Sequence, residues 1–454
     1  MQPYQFTSHE SFSHDSISSL GYDWERIADP NIAPKFPLKV YFPRSLEDVV
    51  AAARETSQLG QKLWVRSKGH SSNDLVLAEG GAVLCTELFN KVLKVDVNER
   101  TVKVQSGCVL AELDLQLRES GFGLPVIGDH NHITAGGFAS VGGISPGSHR
   151  HGLFLDNVRA LELVDWQGQV HAYDRTSGAE QMAQVLGGTG RKGVIATLTL
   201  DIVPGDKWKT ITKNTRTLIF DLSKFVAFSH NAIVNAGDAL FERGVWIEYP
   251  VFGRQIKVGQ FSVYKTVGQS GYATLRDRFS YGYLHFLGYW AGRLPRLVDI
   301  AFKALGLLGI ILSPRYASIK NIESFTDRVI DSSVGDPTRM LIVLAPMEKY
   351  QVLLNALHEI CVRYRDDKGC FTFISFYVKG INSRWLSPEG KSFCELMLYL
   401  GIDPGKMTPA LLSAIVSEID ALAIANGAFR YMHTKTSPDA ALRMKLDPNE
   451  RYRL

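Results

Sequence analysis

The chain predicts an α+β protein of two domains, and three observations lead there. It has 454 residues, too many for one ordinary domain. Short strand patterns alternate with helix patterns and turn signals from Pro37 to Val203. After Pro204 and Gly205 the texture changes to longer apolar strands and longer helices. The first domain is therefore expected over 1–205 and a second from 206 onward.

The elements follow in order. The span 1–33 reads as an irregular N-terminal arm, and LKVYFP after it as a short strand. Ser45 has the position of a helix N-cap, with Glu47 and Asp48 in the first turn and Gly60 as the stop. KLWVRS is a second strand and runs into a polar loop. Asn98-Glu99-Arg100 and Gln167-Gly168 each separate two alternating apolar runs, which predicts two hairpins. In the second domain GVWIEYPVFG, IKVGQFSVYK and CFTFISFYVKG read as strands. YQVLLNALHEICVRYRDD reads as a helix with Leu353, Leu357, Ile360 and Cys361 along one face.

Composition excludes several functions. Net charge is +4 without a run of five Lys or Arg, so no nucleic-acid partner is expected. The five cysteines form no CxxC pair, so no metal is expected, and a reducing cytoplasm fits them best. The opening MQPYQFTSHESF lacks the apolar core of a secretory signal. The stretch 298–313, VDIAFKALGLLGIILS, is shorter than the roughly 20 apolar residues of a spanning helix and is broken by Asp299 and Lys303. Flanked by Arg293, Arg296 and Arg315, it reads as a buried helix or as an interfacial membrane-docking segment. The expected location is cytoplasmic, with membrane association if the second reading holds.

Two loops carry most of the information. The first, Arg66-Ser67-Lys68-Gly69-His70-Ser71-Ser72-Asn73-Asp74, follows a strand, and its small polar residues suit a nest of N–H groups around an anion such as a pyrophosphate. The second runs from Gly128 to Gly152 and includes Asp129, Thr134, Gly136, Gly137, Ser140, Gly142, Gly143, Ser145 and His151. Its glycines allow close backbone approach to a flat or phosphorylated ligand. A third patch, Leu186-Gly187-Gly188, precedes Gly193-Val194-Ile195. None is GxGxxG opening a helix or GxxxxGK[ST], which disfavours a nicotinamide site or a P-loop. Tight turns between strands remain the plain alternative.

The order and wording of these loops resemble the vanillyl-alcohol oxidase and p-cresol methylhydroxylase family of FAD proteins. The resemblance covers about 37–204 and, less fully, the last 30 residues. It implies a two-part FAD-binding domain of the p-cresol methylhydroxylase type, with 425–454 returning to it and 206–424 forming a separate α+β substrate cap. In many members a His in an Arg-x-x-Gly-His-Ser stretch bonds to the 8α methyl carbon of the flavin, and His70 in Arg66-Ser67-Lys68-Gly69-His70-Ser71 falls there. A neutral loop histidine beside non-covalent FAD is the alternative. The second loop has no cysteine for a second link, so a single covalent link is expected.

The second loop is most similar to cytokinin dehydrogenases, whose catalytic aspartate lies seven residues before the Gly-Gly pair, as Asp129 lies before Gly136. Their glutamate partner has only Glu242 and Glu248 as candidates, and a loop-capping role is the alternative for Asp129. The C-terminal part looks more like decaprenylphosphoryl-ribose oxidase and the sugar and alditol oxidases. There Tyr431-Met432-His433-Thr434-Lys435 and Lys379 match loosely. A lysine near the flavin would stabilise negative charge arriving with hydride, and His433 is a second candidate base. A salt-bridged β-edge is the alternative for both.

These readings imply hydride transfer from a CH–OH group of a small or lipid-linked substrate, with oxygen or a quinone as acceptor. The alternative is a CH–NH donor of the cytokinin type. Two further rivals are a flavin-binding remnant and a UDP-sugar reductase relative, and His70 argues against the latter.

Overall fold

The computed structural model describes residues 5–6, 19–23, 33–71, 75–251, 254–268, 270–290, 315–324, 338–431 and 434. They form three main sheets. The first is parallel, in the order Gln5–Phe6, Lys39–Tyr41, Ala82–Cys85, Leu63–Arg66. Ala82–Cys85 is buried along its whole length, as a central parallel strand should be. Gln5–Phe6 adds an edge strand inside the span that reads as irregular from sequence.

The helix Leu46–Gln58 forms the crossover between Lys39–Tyr41 and Leu63–Arg66. Ser45 begins it with a full capping box: the Asp48 amide donates to Ser45 Oγ at 3.2 Å, and the Ser45 amide to Asp48 Oδ2 at 3.0 Å. Its buried face, Val49, Ala52, Ala53 and Thr56, follows the helical period. Ser45→Ala is expected to cost about 1 kcal/mol, read as a lower denaturant midpoint.

The second sheet is antiparallel, in the order Val92–Asp96, Thr101–Gln105, Val194–Asp201, Val158–Val164, Val170–Asp174. Both hairpins read from sequence are present in it. One side packs on the first sheet through Leu84, Phe89, Val164 and Val194. The other side carries the helix Leu110–Glu119 and a larger core.

The third sheet has eight strands, in the order Tyr316–Ser318, Ile211–Ile219, Arg254–Thr266, Phe241–Val251, Phe371–Ile381, Phe393–Ile402, Thr338–Pro346, Phe429–Arg430. Alternation gives it two unlike faces. Trp246, Phe376, Val378, Leu396 and Leu398 pack under the helices Leu222–Val234, Tyr350–Lys368 and Pro409–Ala425. The opposite face carries Arg243, Lys379 and Glu395, all buried, and the half-buried Tyr377. Ile342, Leu344, Phe393, Phe429 and Tyr431 join the core of the second sheet, so the two parts share one hydrophobic cluster.

All five cysteines are free and buried. Among the described residues no helix is long and apolar enough to cross a membrane. The stretch 298–313 lies outside the described residues.

Candidate active site

The first loop leaves the strand Leu63–Arg66. Gly69 has φ +71°, where any other side chain is strained, and a Cβ there would stand 2.5 Å from Nη2 of the buried Arg66, which would have to shift. Ser67 Oγ lies 2.7 Å from Thr86 Oγ1, and Lys68 is exposed. His70 is half-buried, with its ring centroid 4.3 Å from that of His130 on the second loop. The Ser71 hydroxyl is buried without a hydrogen-bond partner among the described residues. Asn73 and Asp74 lie outside those residues.

The second loop is held from below. Gly128 packs against Phe138 and Ile133. Thr134 Oγ1 caps the helix Ala135–Val141 by accepting from the Gly137 amide at 3.3 Å. The Gly136 amide donates to Ser106 O at 2.8 Å, and a Cβ at Gly136 would stand 2.5 Å from Ser106 Cβ. Gly142 lies beside the Tyr431 ring, and the Gly143 amide donates to the Tyr431 hydroxyl at 2.8 Å. Ser140 Oγ donates to Gly136 O at 2.7 Å, and Ser145 Oγ accepts from the Gly147 amide at 3.0 Å. Gly152 packs on Asp156, and Gly193 on the carbonyl of Val164 just before Val194 and Ile195 open their strand. Burial, then the nearby Arg150, pushes His151 down to about 4, so it is neutral. Several of these glycines are therefore explained by packing of the loop on its own protein.

The two loops meet where a Cβ on Gly137 would lie 3.8 Å from Ser67 Oγ. The Ser71 hydroxyl on one loop and the Ser106 hydroxyl beneath the other are buried and unmatched among the described residues. A buried polar atom left so costs about 1–3 kcal/mol, which suits a site that a polar cofactor completes.

Asp129 meets the polar face of the large sheet. Its carboxylate is ion-paired with Lys379 Nζ, and Lys379 also lies 2.9 Å from Glu395 Oε2. Lys379 and Glu395 sit directly opposite each other on neighbouring strands. Burial works against the charge of Lys379, but the carboxylates outweigh it and hold the ammonium above the usual lysine range. Burial pushes Glu395 up against the opposing pull of Lys379, and pushes Tyr377 up to about 12. Buried Arg243 completes the group, 3.4 Å from the Tyr264 hydroxyl.

Sequence reasoning placed Asp129 and Lys379 as separate candidates, and the structure joins them. Neither Glu242 nor Glu248 reaches Asp129, because both project from the helix-covered face of their strand. Glu242 Oε1 accepts from the Gly380 amide at 3.1 Å. Glu248 is bound by His358 at 2.6 Å and Arg365 at 2.7 Å. Glu395 and Arg243 belong to no motif, and their strand register with Lys379 and its neighbours is the signal that finds them. His433 and Lys435 lie outside the described residues.

Residues 37–174 match the model of the FAD binding domain. The chain is 36% identical over 167 residues to an uncharacterized oxidoreductase, ORF5 in the fasciation locus of Rhodococcoides fascians, covering 36% of this chain and 37% of that protein. It is 33% identical to the L-gulonolactone oxidase of Bos taurus over 37% of this chain and 38% of the relative. It is 26% identical to cytokinin dehydrogenase 1 of Oryza sativa subsp. japonica over 319 residues, 66% of this chain and 59% of the relative. The chain thus spans little more than a third of the length of the first two relatives. The matched part of the chain is thus an FAD binding domain, and the relatives that share it include an oxidoreductase, L-gulonolactone oxidases and cytokinin dehydrogenases.

Proposed function

We propose that the protein is an FAD-dependent oxidoreductase taking hydride from a CH–OH carbon of a small molecule, with Asp129 and Lys379 handling the hydroxyl. The observation that carries this reading is the ion pair between Asp129, beside His130 and its neighbour His70, and Lys379 on the polar sheet face. Bound FAD supplies the two-electron acceptor. Ser71, Ser106 and the loops 66–71 and 134–145 would hold it.

The division of labour follows from the charges. Lys379 stays protonated at neutral pH, so it serves as a fixed cation and donor toward the substrate oxygen. Asp129 is then the group that accepts the hydroxyl proton. Arg243 and Lys379 favour an oxygen on which negative charge grows over an amine that carries positive charge. A CH–NH donor is the second reading, and the 319-residue alignment to a cytokinin dehydrogenase supports it. His433 and Lys435 enter the proposal from sequence alone, as an alternative base and a further cation. Oxygen or a quinone is the proposed acceptor. A lipid-linked donor rests on 298–313, and a cytoplasmic location on the five free thiols.

Anaerobic bleaching of the flavin by polyols, lactols or hydroxy acids is the expected result. Bleaching by secondary amines alone would overturn the CH–OH assignment.

The cofactor is proposed to be tethered once, through His70. Gly69, at φ +71°, turns the chain three residues past the strand end at Arg66, and His70 follows it beside His130. After acid precipitation the yellow colour should stay with the protein, and the His70 peptide should carry the mass of the flavin. His70→Ala should release its flavin into the supernatant. Colour that leaves the wild type under acid would sink the tether and leave the fold untouched.

A further inference from the structure

The helix Gly271–Trp290 carries an apolar stripe that the proposed chemistry does not use. Tyr272, Leu275, Phe279, Tyr283, Phe286 and Trp290 follow one another at steps of three or four residues. On a helix of 3.6 residues per turn they fall within about 80° of arc, along about 27 Å of its length. All six are exposed, Leu275 by 66% and Phe279 by 67%. The inner side is fixed differently: Ala273 is buried, and Asp277 accepts from the Ser318 amide at 2.7 Å and from Asn321 Nδ2 at 3.0 Å.

The charges are arranged in the same sense. Arg276 and Arg278 are exposed and fall on the two flanks of the stripe, while the single acidic side chain of this helix, Asp277, faces the protein. Large aromatic rings between flanking arginines suit the headgroup boundary of a bilayer, where rings sit at the interface and arginines extend to phosphates. The sequence continues in the same character. Directly after Trp290 come Arg293 and Arg296, then the apolar stretch 298–313 and Arg315.

We infer that the outer face of the helix Gly271–Trp290 docks on an anionic lipid surface, lying in its plane. A second copy of the chain is a poorer occupant, since pairing this face with itself brings its arginines together. The inference stands apart from the donor that the flavin oxidises, because the stripe takes no part in the proposed chemistry.

The test is cosedimentation of the full-length flavoprotein with vesicles of phosphatidylcholine alone and of phosphatidylcholine with phosphatidylglycerol. Wild type should bind the anionic vesicles and release as salt rises. Leu275→Asp/Phe279→Asp should lower the partition roughly tenfold or more, since both lose an apolar contact. Arg276→Glu/Arg278→Glu should lose the preference for anionic vesicles. Both variants should keep the wild-type circular dichroism and flavin spectra and turn over a water-soluble donor at the wild-type rate. Absence of wild-type binding would overturn the inference, as would binding that the Leu275/Phe279 variant retains. So would a wild-type dimer that this variant breaks while vesicle binding is absent, because that places a second copy on the stripe.

Discussion

Asp129→Asn is expected to lower turnover by about 10²–10⁴ while the flavin stays bound. The amide keeps the shape of the side chain and removes the proton acceptor. Lys379 is a poor substitute, because Glu395 still lies 2.9 Å from its ammonium in this variant and favours its charged form. Lys379→Met should also slow the reaction, by a different route. It removes the cation and leaves the Asp129 and Glu395 carboxyls facing one another without it. Glu395 then shifts further up, as burial already pushes it. Rapid-reaction measurement of flavin reduction separates these effects from flavin reoxidation. Asp129→Asn that reduces its flavin within about threefold of wild type would move the base to another residue, with His433 next in line.

Glu242→Gln is expected to stabilise the protein at alkaline pH. Glu242 is fully buried, and Oε2 has no hydrogen-bond partner among the described residues. Burial pushes its carboxyl from the ordinary 4.5 up to about 8, against the Gly380 amide that favours the charged form. His149 Nδ1 lies 4.0 Å away, and burial pushes that ring down, which disfavours its charged form. The folded protein therefore keeps the proton on Glu242 at neutral pH, while the unfolded chain releases it above about pH 4.5. The folded state binds more protons across this window, so its stability falls as pH rises from about 4.5 to about 8 and levels off above. The slope is at most about 1.4 kcal/mol per pH unit, which makes the whole effect a few kcal/mol. Glutamine removes the titration and keeps the volume. The melting temperature of Glu242→Gln should exceed that of wild type at pH 8, and the gap should close toward pH 5. Equal pH slopes for the two proteins would show that Glu242 is ionised in the fold.

Local features are legible in the amino-acid order itself. Ser45 and Asp48 announce their helix because a cap is a contact within four residues. The hairpins at 98–100 and 167–168 are equally local. Gly69 and His70 stand out because a strand end, a glycine turn and a histidine follow one another in the chain. The stripe of the helix Gly271–Trp290 is also periodic, but nothing in periodicity distinguishes a buried face from an exposed one.

The amino-acid order alone thus marked the helix cap, the hairpins and the two loops, and offered Asp129 and Lys379 as separate candidates. Their partnerships came from the fold. Asp129 and Lys379 are 250 residues apart and meet because a loop of the first domain abuts the polar face of the large sheet. Glu395 joins them through strand register, and Glu242, one residue from Arg243, is sent to the opposite face by the pleat. Spacing along a chain encodes contacts within a turn or a hairpin. Which buried charges neutralise one another depends on register and on the packing of distant strands, and those exist only once the chain has folded.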